Sequence, residues 1–111
     1  MEHVLVYMTV PDLETARRIG RAVVEERLAA CVNILGAMES LYWWEGTVHN
    51  DLEVVLVAKT RARLFEELRS RVVGLHPYEV PCIVAVDMCA GHGPFLHWIT
   101  AQTLGPGSEK C

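Results

Sequence analysis

The sequence predicts an α+β domain in the order β-α-β-β-α-β, the ferredoxin-like or split βαβ arrangement, closed by a short C-terminal helix. Three observations predict it. Four runs are rich in β-branched and aromatic residues, two stretches between them carry apolar positions at helical spacing, and proline or glycine marks most of the joints. At 111 residues the chain suits one hydrophobic core, so a single domain is expected over residues 1–104, with residues 105–111 a flexible tail by composition.

Residues 3–9 (HVLVYMT) read as the first strand, and Pro11 with Asp12 supplies helix-start chemistry. From Asp12 to about Arg27, Ala16, Ile19, Val23 and Val24 share one helical stripe. Charged residues lie opposite, with ion pairs expected between Glu14 and Arg18 and, in the second helix, between Glu67 and Arg71. Residues 29–35 and 40–44 read as one bent strand with Gly36 as a bulge. Trp44-Glu45-Gly46 turns the chain, residues 47–51 are polar, and residues 53–59 (EVVLVAK) return as the third strand of an extended hairpin.

Thr60 is placed as the cap of the second helix, with Leu64, Phe65, Leu68 and Val72 inward and Gly74 as its stop. Residues 76–81 (HPYEVP) cannot be helical, because Pro77 and Pro81 bias the residues before them to extended backbone. A fourth strand at residues 82–88 and a last helix from Pro94 to about Thr103 complete the order.

Right-handed crossovers place both connecting helices on one face of such an antiparallel sheet, so strands whose second face meets water should alternate apolar with polar residues. They do not. Val4, Val6 and Met8 alternate with Leu5 and Tyr7, Val54, Leu56 and Ala58 with Val55 and Val57, and Ile83 and Ala85 with Val84 and Val86. A second apolar face needs a cover, and a further copy of the chain is the simplest one.

Composition narrows the function. A net charge of -4 and a pI near 5.7 argue against nucleic acid, since phosphate binding draws on clustered Lys and Arg. No apolar run reaches the roughly 18 residues that span a bilayer, and no secretory leader is legible, so a soluble cytoplasmic protein with free thiols and no membrane partner is expected. No glycine-rich phosphate loop, nucleophile elbow or carboxylate pair is present, so no enzyme is expected.

TVPD at 9–12, ERLAACVN at 26–33, SLYWWEG at 40–46, VAKT at 57–60 and HPYEVP at 76–81 together resemble the CutA family of divalent-cation tolerance proteins. The resemblance spans about residues 3–103. It implies a ferredoxin-like homotrimer, a bacterial link to copper tolerance and, in mammalian relatives, an association with acetylcholinesterase anchoring. A copper or other transition-metal ion is the implied cofactor. The family's proposed ligands are a Cys before TxPD and a His pair before PY, positions held here by Met8, Leu75 and His76.

His76 sits on the stiff connector and offers an imidazole, the commonest metal-binding side chain; a loop histidine bonded to the backbone is the other reading. Met8 offers a soft thioether, Glu79 an oxygen, and Cys82 a soft thiol, with packing as a small hydrophobe the favoured reading of Cys82. Tyr42, Trp43 and Trp44, on the hairpin, are assigned to subunit packing, and Lys59 and Tyr78 to a cleft between subunits. Cys31 reads as packing, the loose Cys89/His92 pair as weak, and Cys111 as a tail thiol. Two alternatives to a metal-responsive trimer stand: a PII-like small-molecule signalling trimer, and a structural or anchoring protein without metal chemistry.

Overall fold

Asp12 starts the first helix by accepting a 2.8 Å hydrogen bond from the Thr15 amide, which satisfies one of the donors that any helix leaves free at its N-terminus. The structure, a computed structural model, describes residues 2–104, so the expected tail at 105–111, Cys111 included, lies outside the described residues. In chain order the elements are β1 (His3–Val10), α1 (Leu13–Glu25), β2 (Cys31–Trp44), β3 (Thr47–Arg61), a single 3-10 turn (Ala62–Leu64), α2 (Phe65–Leu75), β4 (Ile83–Asp87) and α3 (Gly93–Gln102). The four strands form one sheet in the order β2-β3-β1-β4, and every neighbouring pair is antiparallel.

One face of that sheet is the core. Val4, Val6, Met8 and Val10 of β1 and Val54, Leu56 and Ala58 of β3 pack with Ala16, Ile19 and Val23 of α1 and Leu68 and Val72 of α2. The other face is left largely bare. Tyr7 is exposed beside Val84 and Val86, which are 51% and 53% exposed, at neighbouring positions of the β1–β4 ladder. Helix α3 covers one end of this face, where His3 bonds the Thr100 hydroxyl at 2.8 Å and Arg61 Nε donates to Thr103 at 3.1 Å.

Beyond the helices β2 and β3 continue as a two-stranded arm, and the domain measures 49 × 26 × 22 Å along its principal axes. The arm closes in a two-residue turn with Glu45 at φ 51 and Gly46 at φ 80, the positive-φ pair whose twist matches a tight hairpin. Between Leu35 and Ala37 the register shifts by one residue, the bulge expected at Gly36.

Several expectations are corrected. Residues 47–51 are strand, because each pairs with a residue of Ser40–Trp44; cross-strand hydrogen bonding overrides their polar composition. Thr60 is not a cap but a buried β3 residue whose hydroxyl donates to the Leu28 carbonyl at 2.6 Å. Gly74 lies inside α2, which ends at Leu75. Cys82 precedes β4. Val24 is exposed. Among the described residues the ion pairs are Arg21 with Glu25, Arg69 with Glu66, and Arg71 with Glu26 in place of Glu67. This last contact ties α2 to the end of α1, and it holds the Glu26 carboxyl below its ordinary range.

Candidate functional site

The bulge decides which residues of the arm look onto the bare face. Before it, Cys31, Asn33 and Leu35 stand opposite Lys59, Val57 and Val55; after it, Met38, Ser40, Tyr42 and Trp44 stand opposite Glu53, Asp51, His49 and Thr47. Strand side chains alternate with period two, so one inserted residue exchanges the faces of everything that follows. Tyr42 and Trp44 thereby join Glu53 and Tyr7 on the bare face. Leu41 and Trp43, 69% and 73% exposed, point to the other side of the arm.

The connector 76–82 folds over the edge of this face and makes a groove of about 820 Å³, whose lining includes Tyr7, Thr9, Tyr42, Trp44, Glu53, Tyr78, Glu79 and Cys82. At its floor the Tyr78 hydroxyl donates to Glu53 Oε2 at 2.8 Å. Burial first, and then this bond to a carboxylate, hold the Tyr78 phenol well above its ordinary value. The Tyr42 hydroxyl donates to Asp51, which also raises its phenol. Burial pushes the Cys82 thiol up, the Glu53 charge adds to the rise, and a hydrogen bond with Thr9 opposes both.

His76 is buried, and both ring nitrogens are engaged. The Tyr78 amide donates to Nδ1 at 3.1 Å, so the proton resides on Nε2 and is donated to the Thr9 carbonyl at 2.8 Å. The ring sits 4.7 Å from that of Tyr78. In this arrangement His76 clamps the connector to β1 and orients Tyr78, and neither nitrogen has a lone pair to offer a metal.

The residues singled out from the sequence therefore divide. Tyr42, Trp44, Tyr78, Glu79 and Cys82 meet at the groove, while the Trp43 side chain stands on the other side of the arm. Met8 does not reach the groove, being fully buried on the helix-covered face. Lys59 donates to Asn33 and is absent from the groove lining. A resident transition metal needs three or four converging donors. Among the described residues no group of three His, Cys, Asp or Glu is so placed, so one chain by itself does not fit the ion.

Sequence reasoning missed Glu53, Asp51, Tyr7 and Thr9. Glu53 had a signal, as the one carboxylate at the head of an otherwise apolar run, EVVLVAK.

Known proteins share this fold and sequence. The family model described as CutA1 divalent ion tolerance protein matches residues 4–102. The "Divalent-cation tolerance protein CutA" of Thermus thermophilus is 48% identical over 103 residues, covering 93% of this chain and 99% of that one. "Protein CutA" of Homo sapiens is 40% identical over 97 residues, which are 87% of this chain and 54% of the human protein. The chain thus spans about half the length of some relatives. Among solved structures, CutA1 of Oryza sativa superposes with a TM-score of 0.91 at 39% identity, covering 94% of this chain and 95% of that one. The Thermus thermophilus structure gives 0.89 at 46% identity, covering 91% and 98%. The Thermus thermophilus protein and the family model are named for tolerance of divalent ions. With the family model matching nearly the whole chain and relatives above 40% identity over nine-tenths of it, the chain belongs to the CutA1 divalent ion tolerance family.

Proposed function

We propose that the chain works as a homotrimer on the ferredoxin-like plan, contributing to divalent-cation tolerance in the cytoplasm, with a copper or other transition-metal ion bound only where donors from more than one chain meet. The observation that carries the reading is the bare sheet face, where Tyr7, Val84 and Val86 lie uncovered together; the opposite side of the arm exposes a second apolar set, Leu41, Trp43 and Leu52. An apolar surface of this extent is uncommon on a protein that acts alone. The three-fold count rests on the family resemblance. Glu79 and Cys82 are the donors that one chain presents in the groove lining, and coordination by neighbours would displace the Cys82 proton as metals do with thiols.

Light scattering at micromolar concentration should give about three times the 12.4 kDa chain mass; a particle of one chain removes the proposal. Calorimetry with Cu(II), and with Cu(I) under reducing conditions, should show binding to the assembled form that falls at least about tenfold in Glu79→Ala with Cys82→Ser. Absence of binding removes the metal half of the reading and leaves the assembly.

A further inference from the structure

Covering the bare face sets an electrostatic condition that apolar burial does not meet. On that face β3 presents Asp51 and Glu53 near the arm, opposite Ser40 and Met38, and Lys59 at its other end, opposite Cys31 and Leu5. Acid stands at one end of the strand and base at the other. Glu53 is nine-tenths buried and accepts from the Tyr78 hydroxyl, and no Lys or Arg lines the groove around it. Lys59 is half-buried, donates to the neutral Asn33, and takes part in no ion pair among the described residues. The two cannot meet within one chain, because positions 53 and 59 of one extended strand stand roughly 20 Å apart.

A single chain in water tolerates this arrangement, since solvent reaches the face. A second chain laid on it removes that solvent, and an ammonium or carboxylate buried without an opposite charge is strongly unfavourable. Each end of the stripe carries what the other end needs. We propose that Lys59 of one chain meets Glu53 of a neighbouring copy when the bare faces associate, so that β3 packs head to tail. The inference rests on the self-association proposed above and adds its register. Stacking like ends, Glu53 on Glu53, would be repelled, so the same charges exclude the alternative register.

The pairing also constrains the geometry of the assembly. Rotation about a symmetry axis leaves the height of every residue along that axis unchanged. Lys59 of one copy therefore reaches Glu53 of the next only where the two positions lie at nearly the same height, and β3 then runs across a three-fold axis, not along it. The arm continues β3 beyond Glu53, so it extends past the contact and onto the neighbouring copy.

The test is a double-mutant cycle read on assembly. Light scattering of the full chain is followed over dilution in urea, an uncharged denaturant that brings a tight assembly into measurable range. Lys59→Met and Glu53→Gln each remove one charge at similar size, and each should raise the dissociation constant at least about tenfold by stranding its partner. Lys59→Met with Glu53→Gln should be no weaker than either single variant, because no charge is left stranded. Sites so far apart in one chain act independently, so this coupling arises only across the contact between copies. If Glu53→Gln loses its fold by circular dichroism, the exchanged pair Lys59→Glu with Glu53→Lys decides, and it should assemble more tightly than Lys59→Glu alone. In an assembled wild type, single variants of unchanged strength, losses that multiply in the double variant, or an exchanged pair no better than Lys59→Glu would each overturn the pairing and leave the self-association standing. A wild type of one-chain mass would overturn both.

Discussion

The two faces of this sheet are built from the same strands, with nearly the same residue types, and meet different fates. Along β1, Val4, Val6 and Met8 are buried by α1 and α2, whereas Leu5 and Tyr7 alternate with them toward a surface that the chain covers only in part, with α3 and with the connector 76–82. Because the strand period is two, sequence alternation separates the faces without saying which is covered. Coverage is decided by the crossovers, whose fixed handedness sends both connecting helices to one side. The difference teaches that apolar character alone does not locate the core of such a domain: one face stabilises the fold, and the other is available to a partner.

Truncating a residue of the covered face is the strongest way to separate the two. Leu56 is fully buried at the centre of β3, so Leu56→Ala should cost about 2–5 kcal/mol through lost burial and a residual cavity. Denaturant unfolding at fixed protein concentration reads this as a lower midpoint at unchanged slope. Val86→Ala on the bare face serves as the contrast. A chain that never associates would lose a few tenths of a kcal/mol there, about what other surface sites lose; a larger, concentration-dependent loss marks the face as an interface.

A charge on the bare face should break association while sparing the fold. Val84→Asp with Val86→Asp places two carboxylates on a surface that touches neither α1 nor α2. The expected outcome is a dissociation constant raised at least about a hundredfold, since desolvating a carboxylate without a partner costs several kcal/mol. The far-ultraviolet circular dichroism spectrum should stay essentially that of the wild type. Sedimentation that finds the wild-type mass in this variant would assign the bare face to something other than self-association.

How much of this was legible depended on whether the cause was local. The Asp12 cap, the bulge at Gly36 and the stiffness of residues 76–81 follow from side-chain and backbone chemistry within a few residues, and the sequence carries them openly. Residues 47–51 read as a loop because polarity is their only local signal, and strand structure there comes from pairing with Ser40–Trp44. Thr60 is a good capping residue by type, yet the Leu28 carbonyl, thirty-two positions away in the chain, claims its hydroxyl. The groove was the least legible part. Its assembly needs the exchange of faces at Gly36 followed through to Tyr42 and Trp44, and the connector laid against Glu53; neither can be obtained from spacing alone. His76 was visible as a chemically capable side chain, but its hydrogen bonds to Thr9 and Tyr78 belong to tertiary structure.

The smallest expected effect tests whether the exchange of faces places Tyr42 as described. Tyr42 and Asp51 meet across the arm, and the bond to Asp51, more than burial, raises the phenol above 10.0. A group whose folded pKa lies above its unfolded value contributes stability that is fully present below 10.0 and is lost as pH rises through the folded pKa. Asp51→Asn removes the charge while leaving an amide oxygen to accept from the hydroxyl. The absorbance titration of Tyr42, isolated by comparison with Tyr42→Phe, should therefore move back toward 10.0, and the wild type's small advantage over the variant should vanish above the folded pKa. An unchanged titration would mean that Tyr42 does not face Asp51, and the bulge would then not set the walls of the groove.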